Sequence, residues 1–189
     1  ALGGATDTLL MRLTDVMLTL PQLPLLLVLS SSLRQFPQLQ QFLGSNLSVV
    51  IIIFVLVLFG WMTVARLVRG SVLSLRSLNF IEASRSLGAD RSRIIFQHLI
   101  PNSLAPIIVA ATLGFGAVII SESALSFLGF GVMPPVPTWG NMLNDARNSP
   151  LEYLFVQALS PGICIFITVL AVNFIGDGLR DALDPRLKM

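Results

Sequence analysis

Leu47-Ser48-Val49-Val50-Ile51-Ile52-Ile53-Phe54-Val55-Leu56-Val57-Leu58-Phe59-Gly60-Trp61-Met62-Thr63-Val64-Ala65 runs for nineteen residues without a charge. As a helix rising 1.5 Å per residue, it crosses the roughly 30 Å of hydrocarbon in a bilayer. The β-branched core Val49–Ile53 would favour a strand in water. In lipid, however, an open sheet leaves backbone N–H and C=O groups without partners, so the segment is a helix. Three further stretches have the same character, at about 16–33, 102–121 and 154–175. The whole composition agrees: 54% of the 189 residues are hydrophobic and 12% are charged, about half the usual ~25%. The sequence therefore specifies an all-α membrane protein, a polytopic helical bundle of about four transmembrane helices forming a single domain over 1–189.

Arginine placement orients the bundle. The loop over 66–101 holds Arg66, Arg69, Arg76, Arg85, Arg91 and Arg93; the tail adds Arg180, Arg186 and Lys188, and Arg12 precedes the first span. Arg34 and Arg147 stand alone in the other two loops, the second of which is an external loop over 122–153. Ten positive residues against two put both chain ends in the cytoplasm. Pro21, Pro24, Pro106 and Pro161 favour kinks, and Gly114 and Gly116 favour close helix approach. A transport path and the ordinary Pro and Gly usage of membrane helices both account for them.

Several function classes are excluded. A net charge of +2 drawn from few charges gives no basic surface for nucleic acid. The single Cys164 supports no disulfide framework and reads as a small packed residue; the single His98 reads as structural. There is one lysine, Lys188, and no G-x-x-x-x-G-K-[ST], so the chain has no ATP-binding loop of its own. We find no nucleophile, base or metal constellation, and so expect no catalytic residue, metal or cofactor. The sequence begins at Ala1 with neither a methionine nor a signal-peptide pattern, as expected of a processed or truncated product.

The basic loop reads as two short helices. Asn79 followed by Glu82 predicts a capping-box start, Gly88 a left-handed stop, and Asp90 the cap of a second helix through Gln97, with Pro101 at the entry to the third span. Ala83 and Ser84 form a small-residue face bordered by Phe80, Ile81 and Leu87. Such a face seats in a groove of another protein, or packs only against its own bundle.

The spacing Glu82-Ala83-Ser84, three residues, Gly88, nine residues, His98-Leu99-Ile100-Pro101 resembles the EAA loop of permease subunits in binding-protein-dependent ABC importers, E-A-A, three, G, nine, I-x-L-P. Glu82, Ala83, Gly88 and Pro101 match; Ser84, His98 and Ile100 depart. Gly3-Gly4…Asp7-Thr8-Leu9-Leu10-Met11-Arg12…Asp15, Gly60-Trp61…Ala65-Arg66…Val68-Arg69-Gly70, Glu122-Ser123…Leu125-Ser126-Phe127-Leu128-Gly129-Phe130-Gly131, Pro134-Pro135…Pro137-Thr138-Trp139-Gly140-Asn141 and Gly176-Asp177-Gly178-Leu179-Arg180-Asp181…Leu183-Asp184-Pro185-Arg186 resemble the dipeptide, oligopeptide and nickel permease family, its C-type subunit. Members usually carry six spans, so the resemblance implies that this sequence corresponds to the last four, without the first two.

The resemblance implies a transmembrane permease subunit of an ATP-driven importer in the bacterial cytoplasmic (inner) membrane. Glu82, Ala83, Ser84, Leu87 and Gly88 are then the ATPase-coupling residues. The implied partners are cytoplasmic ABC ATPase subunits, a second permease subunit in a heterodimer, an extracytoplasmic substrate-binding protein and the lipid bilayer. The cargo is a peptide or similar small solute, and ATP hydrolysis belongs to the partner. Glu122 belongs to the translocation path or outer gate, or is held at the external interface by hydroxyls. Trp139 likewise belongs to the translocation path or outer gate, in a loop that covers the outer mouth or meets the binding protein, or it anchors at headgroups. The competing readings are a truncated or regulatory membrane subunit without transport, and a self-contained channel or secondary carrier.

Overall fold

A computed structural model describes residues 4–183. Gly3, Asp184, Pro185, Arg186 and Lys188, which enter the expectations above, lie outside the described residues. Every element of regular structure among the described residues is helical: α1 (Gly4–Thr19), α2 (Gln22–Arg34), α3 (Pro37–Leu43), a 3₁₀ turn (Gly44–Asn46), α4 (Leu47–Arg76), α5 (Asn79–Ser86), α6 (Arg91–Arg93), a π-turn (Ile94–Leu99), α7 (Ile100–Phe127), α8 (Trp139–Arg147) and α9 (Leu151–Leu183). Three of the helical stretches are long and apolar enough to cross a membrane alone.

The first expected span, 16–33, is not one helix. It breaks at Leu20-Pro21, between α1 and α2, and passes as a span only as a broken pair. Proline lacks the N–H that would bond the carbonyl four residues back, and its ring pushes the preceding residue out of the helical region. Pro21 accordingly sits outside α2 as its N-cap, in an extended conformation with ψ 113°. Pro24 falls in the first turn of α2, where the missing N–H has no helical partner to lose. Pro106 and Pro161 are accommodated inside α7 and α9 without ending them.

The other helices outrun the expected spans. α4 continues eleven residues beyond Ala65, so the basic loop begins at Ser77 rather than at residue 66. At the far side of the loop, α6, the π-turn and α7 form one uninterrupted helical stretch. Within the π-turn the Ile100 N–H bonds the Ile95 carbonyl, five residues back. Pro101 explains the widening: its ring crowds the carbonyl of Gln97, and a wider turn relieves that clash. α7 reaches Phe127, and α8 lies within the segment expected to be the external loop.

The chain divides into two compact units, which we describe separately. Residues 4–19, 61–113 and 174–183 form the first. Its small core is Ile81, Ile94 and Leu99, with Val72, Leu75, Ala89 and Ile95 packed around it. Two ion pairs tie α1 to α4: Arg69 grips both oxygens of Asp7 (2.8–3.1 Å), and Arg66 meets Asp15 at 2.6 Å. Both pairs are exposed to solvent, so each fixes register more than it adds stability. Gly176 on α9 passes Thr112 so closely that a Cβ would lie 2.8 Å from its Oγ1.

Residues 20–60 and 114–173 form the second unit. Leu26, Ile51, Ile52, Val55, Leu125 and Val132 make its core. Gly116 approaches Val169 and Asn173 of α9, as expected of a close-packing glycine, whereas Gly114 faces open space. Cys164, expected to be packed, is exposed on α9 beside Ile163, Phe166 and Ile167, which are also exposed. In a bilayer an apolar outer face is solvated by lipid, so small and large apolar residues alike can face outward.

Close approach gives a direct test. A Cβ at Gly140 would lie 2.5 Å from both the Ser123 carbonyl oxygen and the Ser126 Cβ, whereas one at Gly162 meets nothing within 4 Å. Gly140→Ala should lower thermal stability in detergent by about 1–3 kcal/mol through overpacking. Gly162→Ala should leave it unchanged, or raise it by up to ~1 kcal/mol through helix propensity.

Candidate functional site

Helix α5, in the basic loop, is held at both ends by backbone geometry. Its N-cap is Leu78, extended at ψ 141°, with no side-chain cap. The capping box expected from Asn79 and Glu82 therefore does not form, because Asn79 is already the first helical residue. The Leu78 carbonyl instead accepts the N–H groups of Ile81 (2.9 Å) and Glu82 (3.4 Å). At the other end Gly88 adopts φ +80°, the left-handed conformation expected of it. The Ala89 N–H reaches back to Ser84 O (3.1 Å) and the Gly88 N–H to Arg85 O (2.9 Å), a complete Schellman closure. Asp90 then opens the next helical stretch, its carboxylate accepting the Ser92 N–H at 3.3 Å.

Side chains on α5 divide into two sets. Ile81 is fully buried among Ile94 and Leu99, so it anchors the helix to its own chain and is not available to another protein. Ser84 is half-buried and turns toward His98, with Oγ 3.5 Å from Nε2; the Phe80 ring meets the same imidazole edge-on at 6.0 Å. His98 is thus a packing residue beneath the helix. Glu82, Ala83 and Gly88 are exposed, and Leu87 is 89% exposed. Four of the five sequence-expected coupling residues share this outward surface, and Ser84 does not. Phe96, on the neighbouring π-turn, is also outward at 69%; sequence reading passed it over, although its place beside His98 in the same motif was visible.

At the other sequence-expected site, Glu122 lies half-buried near the end of α7. Its Oε1 accepts the Ser126 hydroxyl at 2.6 Å, and Ser126 Oγ in turn accepts the Val132 N–H at 3.0 Å. The carboxylate therefore acts through Ser126 on the loop after α7, not through Ser121 or Ser123. That loop is pinned at several points. Arg34 donates to the carbonyls of Phe130 and Gly131, Ser48 Oγ accepts the Met133 N–H, and Asn141 donates to Val132 O at 2.8 Å. Asn144 donates to the Phe127 carbonyl. Trp139 is half-buried as the first residue of α8, whose N-cap Thr138 accepts the Asn141 N–H at 3.1 Å. Arg34, Ser126 and Asn141 entered the sequence reading only as a loop charge and as motif residues, and Asn144 not at all, so none was expected at the site; Asn141 and Asn144, three apart on one face of a short helix, were the available signal. No group of three or more His, Cys, Asp or Glu gathers to hold a metal among the described residues.

Comparison with known proteins covers the whole chain. The family profile described as "Binding-protein-dependent transport system inner membrane component" matches residues 1–189. The chain is 46% identical over 190 residues to a dipeptide transport system permease protein of Alkalihalophilus pseudofirmus, covering 98% of this chain and 57% of that protein. It is 43% identical over 191 residues to a putative peptide permease protein of Brucella ovis, covering 100% of this chain and 59% of the relative. It is 40% identical over 185 residues to a glutathione transport system permease protein of Pectobacterium atrosepticum, covering 98% of this chain and 57% of the relative. The chain thus spans under two thirds of the length of these relatives.

The two faces of α5 should respond differently to truncation. Ile81→Ala removes a fully buried side chain and should cost about 2–5 kcal/mol of stability. Leu87→Ala, on the exposed face, should leave the unfolding midpoint within about 0.5 kcal/mol of the parent. Thermal unfolding of the two variants in the same detergent reads both.

Proposed function

Because the chain belongs to the family of binding-protein-dependent transport system inner membrane components, we propose that it is a permease subunit of an ATP-driven ABC importer, coupled through α5 to a separate cytoplasmic ATPase. The observation that carries the coupling is the exposed surface of Glu82, Ala83, Leu87 and Gly88. It sits on a helix closed by a Schellman turn and anchored through Ile81. A helix held at both ends and from below transmits displacement instead of yielding to it. Ala83 and Gly88 leave room for close approach, Leu87 supplies an apolar contact, and Glu82 supplies a charge for a basic partner.

The relatives bear the names of dipeptide, peptide and glutathione transport systems, so peptides and similar small solutes are the cargo we assign. A second permease subunit completes the path in a heterodimer, and an extracytoplasmic binding protein delivers the solute. Arginine placement puts the α5 loop and both ends of this chain in the cytoplasm. Glu122 and Trp139 then stand at the outer end. There Glu122 positions the outer loop through Ser126, and α8, beginning at Trp139, covers the outer mouth.

Affinity purification from native membranes tests the assembly. ATPase subunits and a second permease should be retained, and recovery of the chain alone would favour a non-transporting remnant or an independent carrier. Ala83→Arg and Gly88→Val should each impair ATPase retention and solute uptake while membrane insertion stays intact. Normal uptake in both would remove the coupling role. Glu122→Gln keeps an oxygen to accept the Ser126 hydroxyl, so uptake should survive if the residue positions the loop and fall if its charge attracts cargo.

A further inference from the structure

The six arginines between Ala65 and Asn102 do not share one role. Arg66 and Arg69 are taken up by Asp15 and Asp7, and Arg93 donates to Gln97 Oε1 at 3.0 Å. The other three, Arg76, Arg85 and Arg91, line one cavity of about 440 Å³ bordered by α4, α5, α6 and the π-turn, with Ile94, Ile95 and Leu99 among its apolar walls. Among the described residues none of these three forms an ion pair. Asp90, beside Arg91 in sequence, spends its carboxylate on the Ser92 N–H. Three arginines from α4, α5 and α6 thus line one open space; Asp7, already gripped by Arg69, is near enough to Arg76 for that charge to help lower its pKa, and among the described residues none of the three has an ion-pair partner of its own.

We propose that this cavity receives a carboxylate-bearing segment of the ATPase partner, one or two Asp or Glu side chains entering beside α5. The inference rests on the coupling reading above and adds a second, charged contact to the apolar one at Leu87. Guanidinium forks pair bidentately with carboxylates and hold them in fixed orientation. Position favours a protein acid over a lipid phosphate. Arg76 lies eleven residues past Ala65, and Arg91 eleven residues before Asn102, the ends of the neighbouring apolar stretches. Eleven residues of helix rise about 16 Å, still roughly 12 Å at a 40° tilt, against a headgroup layer of about 5–8 Å per side. The cavity therefore lies beyond the lipid headgroups, at the depth of a docked cytoplasmic protein.

The sequence offers a clean test, since its one lysine is Lys188 and amine cross-linking background is low. Arg85→Lys and Arg91→Lys keep the charge and add an amine that a carbodiimide joins to a neighbouring carboxylate. The intact permease–ATPase complex, reconstituted in lipid discs, is treated and digested, and its cross-links are mapped by mass spectrometry. A parallel sample carries a photo-activatable phenylalanine at the position of Leu87. The expected result is a lysine-to-Asp or lysine-to-Glu bridge to the ATPase in both variants, absent from the parent and lost at high salt. ATPase labelling from position 87 without any lysine bridge to the ATPase would overturn the cavity proposal and leave the coupling reading standing. No labelling from either site would overturn both. Anionic lipid that co-purifies with the parent but not with Arg85→Gln or Arg91→Gln, with ATPase retention unchanged, would overturn it in favour of a headgroup.

Discussion

A peptide group in hydrocarbon has no water to bond, and this requirement governs the molecule. Each long apolar stretch must satisfy its own backbone, so the chain is helical even through Val49–Ile53. Side-chain hydroxyls follow the same rule by turning back on their own helix: Thr14 to Leu10 O at 2.6 Å, Ser30 to Leu27 O at 3.1 Å, Thr112 to Ile108 O at 3.0 Å. The rule also decides which prolines are tolerated. Pro24 spends no bond in the first turn of α2, whereas Pro21 one residue before that helix divides the first apolar stretch in two.

Outside the hydrocarbon the constraint reverses, because water competes for every backbone bond. An eight-residue helix such as α5 is too short to persist alone. It persists because burial of Ile81 contributes about 1.5–3 kcal/mol and because the Gly88 turn closes its last carbonyls. Those same two features leave the opposite surface free of structural duty. Leu87 can be 89% exposed because the stability of α5 comes from the other side.

The helical class, the long apolar stretches and the left-handed Gly88 were legible in the sequence, since each follows from a local rule of hydropathy or backbone geometry. Helix ends were less so. The extension of α4 to Arg76 runs through charged residues that hydropathy discards, and only the pairing of Arg66 and Arg69 with α1 accounts for their place in it. The sequence placed Ile81 and Ser84 with the docking face because adjacent residues on a short helix point different ways, and only the packing of Ile94 and Leu99 decides which way is inward. Glu122 could not be resolved from composition. Its hydroxyl partner is Ser126, one helical turn on, and the loop it controls closes through backbone groups that carry no sequence signature.

Charge bias along the chain constrains topology but says little about arrangement. Six arginines between Ala65 and Asn102 would satisfy the positive-inside rule in any conformation that left them hydrated. Instead the fold assigns two to carboxylates of α1, one to a glutamine on its own helix and three to the rim of a single cavity. The paired arginines are explained by what they hold, and the three at the cavity are the surface proposed above to meet an anionic group. On the proposal above, the arginines that bias the topology are also the surface that meets a docked partner.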